Sequence, residues 1–340
     1  DKIIPLYRED YAELGVIPSS TSPRATSHIS DMVDFVKKME EASCTYIIDG
    51  DGVYFDVSKA NNYGKLSKQK LSDLRIGARV AENINKRNPY DFVVWKFAKD
   101  GEPSWKSPWG DGRPGWHLEC SAMSWQLLGK NFDIHGGGAD LTFPHHECEI
   151  AQTESVFGLD SFAKYWMHNG FITINKEKMS KSLKNFFVIR DVLSKYSGRV
   201  IRLMFLQTHY ANPIDFSFDL LDQAKSSIER IDGFVRNLNN SSGREVFDSD
   251  GYRKRFEQFM DNDFDTSGAL SVLFDLIKDV GWESLYDKNS VLKFLEDIDK
   301  VLGFIFITNG HSSSNIDDKV MSLIKERDEA RKRKDFANAD

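Results

Sequence analysis

Apolar residues recur at helical spacing soon after the start of this chain of 340 residues. Met32, Val36 and Met39 lie three or four positions apart, which predicts a helix with one buried face. Ser27 or Ser30 precedes most of this stripe, and either hydroxyl can cap the first turn of the predicted helix.

A strand pattern follows that helix. Residues 46–55 join two runs of strand-forming residues through Asp-Gly pairs, a sequence typical of a β-hairpin. The stretch 45–115 is rich in tryptophan and in turn residues, and we expect it to form an inserted subdomain. Its aromatic residues Trp95, Trp105 and Trp109 are interpreted as core residues, because tryptophan is more often buried than a ligand platform.

The later part of the chain has a mainly helical pattern, after a short β-rich stretch at 171–174. Residues 191–206 have helix-like apolar spacing, and apolar residues within 220–238 alternate steps of three and four, which predicts a long helix. The polar stretch 239–243 ends that predicted helix. Further apolar stripes lie between residues 250 and 340, which predicts a small helical bundle.

Composition limits the class of protein. The hydrophobic content of 40% is enough for two or three packed domains, and we find neither a signal peptide nor an apolar run long enough to cross a membrane. The cysteines Cys44, Cys120 and Cys148 are too few for a disulfide framework, so we expect reduced thiols and a cytoplasmic protein. The net charge of −7 argues against indiscriminate nucleic-acid binding but is compatible with a local basic face.

The stretch 133–149 contains the densest candidate chemistry. A predicted strand at 132–134 leads into His-Gly-Gly-Gly, which we interpret as a turn that lets the backbone approach a ligand. Pro144 suits the first position of a following helix, and His145 and Glu149 then lie on one helix face. An imidazole and a carboxylate on one face can hold half of a zinc site, although such residues can equally cap or pack.

Several motifs occur in a specific order. Residues 115–121 read Gly-Trp-His-Leu-Glu-Cys-Ser, 135–138 read His-Gly-Gly-Gly, 144–147 read Pro-His-His-Glu, and 178–182 read Lys-Met-Ser-Lys-Ser. With these motifs the chain resembles cysteinyl-tRNA synthetases, a family of class I aminoacyl-tRNA synthetases, over nearly its whole length. The resemblance implies an α/β fold: a Rossmann-like, nucleotide-binding parallel sheet with a connective insertion, followed by a C-terminal helical bundle.

The resemblance also implies domain limits. We expect the remainder of the first half of the nucleotide-binding domain at 1–44, the connective insertion at 45–115, the second half with the Lys-Met-Ser-Lys-Ser loop at 116–185, a helical stem-contact region at 186–240 and the helical bundle at 241–340. The sequence does not contain the family's zinc-binding cysteine of the first strand, its His-Ile-Gly-His motif or its anticodon region. We expect that these parts, and a stretch between Ile4 and Pro5, have been left out of the sequence.

By resemblance, the metal is one Zn²⁺ per subunit, bound by Cys120, His145 and Glu149, with the missing N-terminal cysteine as fourth ligand. Cys148 is a competing ligand, because it stands where the family usually has Asn and lies three positions after His145. The motif match favours Glu149. A zinc ion that only holds the fold is the alternative to one that binds substrate.

The resemblance assigns further roles. Trp116 is expected beside the substrate thiol and Asp140 near its ammonium group. His135 and the glycines Gly136, Gly137 and Gly138 are expected at the adenylate, whereas His146 and Glu147 are expected at most to support the ligands. Two lysines are expected to hold the leaving pyrophosphate, unless they only form a solvated loop. These are Lys178 and Lys181, of which Lys181 also binds ATP.

The implied function is that of a cysteine–tRNA ligase. The enzyme would form cysteinyl-adenylate from L-cysteine and ATP with Mg²⁺, and would transfer the cysteinyl group to the 3′ end of tRNA(Cys). We expect a monomer that does not bind membranes. Two alternatives stay open: a mycothiol-pathway ligase that joins cysteine to an amino-sugar, and a non-catalytic, zinc-containing RNA-binding relative.

Overall fold

A computed structural model describes residues 2–69, 84–174, 176–179, 186–281 and 285–306. The chain forms two compact units. The first consists of residues 1–18, 172–209 and 214–340, and we call it the bundle unit. The second consists of residues 19–171 and 210–213, and we call it the ligand unit. The five domain limits expected from the resemblance remain predictions.

The helices and strands are numbered in chain order. The helices are α1 Ile3–Glu13, α2 Ile29–Glu41, α3 Trp116–Leu128, α4 Glu147–Phe157, α5 Ile189–Leu193, α6 Gly198–Leu206, α7 Phe218–Asn239, α8 Asp250–Asp261, α9 Thr266–Val280 and α10 Lys288–Leu302. The strands are β1 Thr45–Ile48, β2 Gly52–Phe55, β3 Phe92–Phe97, β4 Gly112–Pro114, β5 Phe132–Gly138, β6 Ala163–Asn169, β7 Ile172–Ile174, β8 Glu177–Lys178 and β9 Ile214–Asp215.

In the ligand unit, a four-stranded antiparallel sheet has the order β1-β2-β3-β4. The hairpin predicted at residues 46–55 is confirmed by the pairing of β1 with β2. Trp95 of β3 is fully buried in one core with Phe35 and Met39 of α2, while Trp105 and Trp109 are partly buried and pack against that core. The interpretation of these tryptophans as core residues is therefore confirmed.

The predicted cap of α2 is wrong. Ser27 ends a short 3₁₀ turn, and Ser30 lies inside the helix. His28 occupies the capping position instead, and its Nδ1 lies 2.7 Å from the Asp31 carboxylate in the first turn. The imidazole therefore pairs with a carboxylate at the helix start, where negative charge is favourable.

The predicted turn at the three glycines is also wrong. Gly136, Gly137 and Gly138 continue β5, which pairs in parallel with the end of β6. Parallel pairing aligns them with residues 167–169 of β6, and the missing side chains make room for close neighbours. A Cβ at Gly137 would lie 3.0 Å from a ring carbon of His146. The glycines thus bring an imidazole close to the strand backbone.

The bundle unit contains a three-stranded sheet of order β8-β7-β9. Helix α7 confirms the predicted helix at 220–238, and its apolar face packs with α6, α8, α9 and α10 in one core. The helix-like spacing at 191–206 corresponds to two helices, α5 and α6. Helix α1 runs without a break through Ile4 and Pro5. The expected helical pattern of 307–340 lies outside the described residues.

Among the ranges that the structure describes, no helix combines the length and the apolar character needed to cross a membrane.

Candidate active site

Between β5 and α4, the chain forms an irregular connection that leads to the candidate ligands. A 3₁₀ turn at Ala139–Leu141 is followed by a π-type turn at Thr142–His146, within which Phe143 has an extended backbone. The prediction that Pro144 begins the helix is wrong, because the regular α-helix begins at Glu147. His145 still faces Glu149, and its Nε2 lies 2.6 Å from the Glu149 Oε1.

The predicted metal ligands lie close together. Cys120 comes from the second turn of α3, His145 from the irregular turn and Glu149 from the first turn of α4. Their ligand atoms all lie within 4.8 Å of one another. A thiol, an imidazole and a carboxylate in this arrangement are ligands that zinc commonly takes in proteins.

Glu149 is a buried carboxylate that lies between two imidazoles. Its side chain is 0% exposed, and its second oxygen lies 3.0 Å from Nε2 of His135. Burial alone would raise its pKa, but His135 and His145 outweigh burial and lower the pKa to about 2. Neither carboxylate oxygen has an aligned hydrogen-bond donor among the described residues. A buried charge requires such compensation, and a cation would supply it.

Further imidazoles surround the ligand set. His117 Nδ1 lies 2.8 Å from His145 Nδ1, and His146 Nδ1 lies 2.8 Å from His168 Nε2. Burial is the main cause that lowers the pKa of His117 and of His146 to about 4. Both rings are therefore neutral at pH 7 and can donate at one nitrogen and accept at the other. His135, His146 and Glu149 form a second group with ligand atoms within 4.8 Å.

Two of these histidines were missed in the sequence. His117 lies inside the Gly-Trp-His-Leu-Glu-Cys-Ser motif, but nothing in its spacing indicates that it contacts His145. His168 lies at the carboxyl end of β6, and this end of a parallel strand is where ligand-binding residues are expected. That positional rule could have identified His168 once the strand had been predicted.

Cys148 does not join either ligand group. Its side chain is fully buried, and its Sγ lies 3.4 Å from the hydroxyl of Tyr63. Burial raises the pKa of the Cys148 thiol. The structure therefore gives this cysteine a packing partner in the insertion and gives Cys120 the position beside Glu149.

The remaining predicted site residues lie in several places. The indole of Trp116 is 59% exposed and stacks on His145 with ring centroids 4.3 Å apart. Asp140 lies exposed in the 3₁₀ turn after β5. Lys178 ends β8 in the bundle unit, and Lys181 lies outside the described residues. The structure thus brings together the metal ligands, Trp116 and His135.

The comparisons with known proteins agree with the motifs. A family model described as "tRNA synthetases class I (C) catalytic domain" matches residues 1–226, and a model described as "DALR domain" matches residues 255–306. A relative from Finegoldia magna is 47% identical over 352 residues, covering 100% of this chain and 75% of its own length. A relative from Alkalilimnicola ehrlichii is 45% identical over 350 residues, again with 100% and 75% coverage. Both are named Cysteine--tRNA ligase, so neither alternative function is favoured.

Solved structures support the fold. Methionyl-tRNA synthetase of Mycobacterium tuberculosis, bound by methionyl-adenylate, aligns with a TM-score of 0.56 and 12% identity, covering 93% of this chain and 73% of that one. A second structure of that synthetase with methionyl-adenylate has a TM-score of 0.53 and 14% identity, with 89% and 71% coverage. The expected class I synthetase fold is confirmed. The chain belongs to the cysteine–tRNA ligase family of class I aminoacyl-tRNA synthetases.

Proposed function

We propose that this protein activates L-cysteine with ATP and Mg²⁺ and transfers the cysteinyl group to tRNA(Cys), and that bound zinc selects the substrate thiol. The observation that supports zinc selection is the convergence of Cys120, His145 and Glu149, with ligand atoms within 4.8 Å of one another. Family membership supports the overall reaction. A place in the cytoplasm and a monomeric state are further parts of the proposal.

The ligand set fits a zinc ion on chemical grounds. The buried Glu149 carboxylate is anionic and has no aligned donor among the described side chains and backbone groups. Zinc held there would favour a soft thiolate over the hydroxyl of serine. A pocket that discriminates by size alone gains only about 1–3 kcal/mol from one small group, so a chemical distinction is needed.

The surrounding side chains orient this set. His117 contacts the Nδ1 of His145, which leaves Nε2 of His145 directed at Glu149. Such contacts to the second ring nitrogen fix the tautomer and orientation of a ligating histidine. Trp116 covers the same imidazole with its half-exposed indole, and in the proposal this face accommodates the side chain of the substrate.

The activation step needs positioning more than covalent participation by the protein. A carboxylate oxygen of cysteine attacks the α-phosphorus of ATP, the bond to the β-phosphate oxygen breaks, and pyrophosphate leaves. A terminal ribose hydroxyl of the tRNA then attacks the activated carbonyl, and AMP leaves. In the proposal, Asp140 binds the substrate ammonium and Lys178 and Lys181 bind the pyrophosphate. His135 and the Gly136–Gly138 backbone of β5 lie at the adenylate.

The test is cysteine-dependent exchange of pyrophosphate into ATP, with serine as control, together with zinc analysis of the purified protein. We expect exchange with cysteine and none with serine, about one zinc per chain by analogy with one-ion sites, and attachment of cysteine to tRNA. The variant Lys181→Ala should lose exchange and keep its zinc. Exchange with serine at the same rate, or unchanged exchange by Lys181→Ala, would contradict the assigned roles.

A further inference from the structure

Glu147 is a fully buried carboxylate between two of the proposed metal ligands, His145 and Glu149. Its Oε1 accepts hydrogen bonds from the backbone N–H of Gly64 at 2.9 Å and of Leu66 at 3.4 Å, and its Oε2 accepts one from Ser67 at 2.8 Å. Backbone donors to an ionised carboxylate form strong hydrogen bonds. A segment of the insertion thus surrounds the charge of this side chain.

The same segment contacts the helix at two other points. The ring of Tyr63 meets the edge of Phe143 with centroids 6.4 Å apart, and its hydroxyl lies 3.4 Å from the Cys148 Sγ. At the other end, Lys65 Nζ lies 2.6 Å from the Glu154 carboxylate. We call residues 63–67 the bracing turn. It contacts the irregular connection, the first turn of α4 and a later turn of that helix.

Glu147, the main contact of the bracing turn, lies on a different face of α4 from the ligand Glu149. Glu147 and Glu149 are two positions apart, and residues at this spacing in a helix do not share a face. The turn before α4 is irregular, with Phe143 in an extended conformation, so helical hydrogen bonds alone do not fix its geometry. External contacts must therefore hold His145 at its distance from Glu149.

We infer that Glu147 is a positioning residue that clamps the bracing turn to the back of α4 and thereby sets the spacing of His145 and Glu149 for the metal and the substrate thiol. The inference rests on the zinc selection proposed above. In Glu147→Gln one acceptor oxygen becomes an amide donor, which cannot accept from the backbone N–H of Gly64 or Ser67 that faces it. The turn then shifts and the irregular connection loses its support. Residues that orient metal ligands in this way typically affect metal affinity or activity about 10- to 100-fold.

The experiment compares Glu147→Gln with Lys65→Met in the purified protein. Glu147→Gln removes the acceptor charge at the ligand turn. Lys65→Met instead removes the ion pair with Glu154, farther along the same helix, and the hydrogen bond from Lys65 Nζ to the Asp160 carbonyl oxygen. We expect Glu147→Gln to weaken zinc binding roughly tenfold in competition with a chelator and to raise the KM for cysteine more than it lowers kcat. Lys65→Met should leave both within about twofold, as expected for a partly exposed ion pair.

Cobalt(II) substitution gives a readout that general stability does not affect. The visible bands of a cobalt–thiolate site depend on ligand geometry, so Glu147→Gln should change their intensity while Lys65→Met should not. If Glu147→Gln does not fold, Gly64→Ala perturbs the same contact from the side of the bracing turn. Gly64 has φ +97°, and a Cβ there would lie 2.0 Å from the Gln69 carbonyl oxygen. This variant should show the same loss.

Wild-type zinc affinity, cysteine KM and cobalt spectrum in Glu147→Gln would overturn the inference, as would equal losses in Lys65→Met. Failure of the proposed zinc selection looks different, because the wild-type protein itself would then bind no zinc or cobalt. In that case the KM for cysteine tests the positioning role of Glu147, because Glu147→Gln should raise this KM and Lys65→Met should not.

Discussion

Zinc binding by this protein should depend steeply on pH, because the Cys120 thiol is held in its protonated form when no metal is bound. Burial, followed by the negative charges of Glu149 and Glu119, raises the pKa of Cys120 to about 12. A zinc ligand must be a thiolate, so binding releases this proton. Since the pKa lies about five units above neutrality, at about 1.4 kcal/mol per unit, proton loss opposes binding by roughly 7 kcal/mol at pH 7.

The sign of the dependence follows from this proton release. Between pH 7 and about 9, Cys120 alone should tighten zinc binding about tenfold for each unit of pH increase, because this thiol loses one proton when the metal binds. The assay is zinc competition with a chelator of known pH dependence, supported by calorimetry in buffers that differ in ionisation enthalpy. Cys120→Ala should bind zinc far more weakly and lose most of this pH dependence.

Cys148→Ala is the matched control, because it removes the neighbouring thiol of the motif. The Cys148 Sγ contacts Tyr63 rather than the ligand group, so this variant should keep both zinc and the pH slope. It should cost about 1–3 kcal/mol of stability, since it empties a small buried volume and leaves a tyrosine hydroxyl without its partner. A slope that survives in Cys120→Ala and disappears in Cys148→Ala would refute the ligand assignment.

Three further outcomes are expected. Gly137→Ala would place a Cβ 3.0 Å from a ring carbon of His146, so it should lower the free energy of unfolding by about 1–3 kcal/mol in chemical denaturation and slow pyrophosphate exchange. Gly136→Ala is the control, because the nearest contact of its Cβ would be 3.4 Å. Equal effects of the two variants would contradict the packing argument. Burial alone would raise the pKa of Asp51, but Lys96 and a tyrosine hydroxyl stabilise its charge, so the pKa is lowered. Lys96→Met should therefore cost about 0.5–1 kcal/mol at pH 7, and this difference should disappear as the pH falls from about 4 through the lowered pKa; a constant difference in urea unfolding would count against it. Trp116→Ala should raise the KM for cysteine severalfold without loss of zinc, because its indole stacks on a ligand and is not one; zinc loss in metal analysis would show otherwise.

Hydrophobic periodicity and turn residues were sufficient to predict the elements whose conformation depends on neighbouring residues in the sequence. The hairpin at residues 46–55 and the helix at 220–238 depend on Asp-Gly turns and on one apolar stripe, and both are confirmed. The glycines Gly136–Gly138 were predicted as a turn, because glycine favours turns. Their strand conformation depends on pairing with β6, a segment more than twenty residues later, which local rules do not include.

The candidate site shows the same limit. Spacing alone indicated that His145 and Glu149 share a face, but it could not decide between Glu149 and Cys148. That choice depends on the Tyr63 hydroxyl, which comes from the distant insertion and takes Cys148 as its partner. The placement of Cys120 beside them depends on how α3 packs against α4, which no local pattern contains. Roles for Lys178 and Lys181 remain predictions.

The division of the chain into two units has a consequence for synthesis. The ligand unit occupies residues 19–171 with only the short piece 210–213 added, whereas the bundle unit begins before residue 19 and resumes after residue 171. As the nascent chain leaves the ribosome, the core that surrounds α2 and Trp95 is therefore available for packing before the bundle core. The bundle must wait for its remaining helices, so α1 spends that interval without the partners it has in the finished protein.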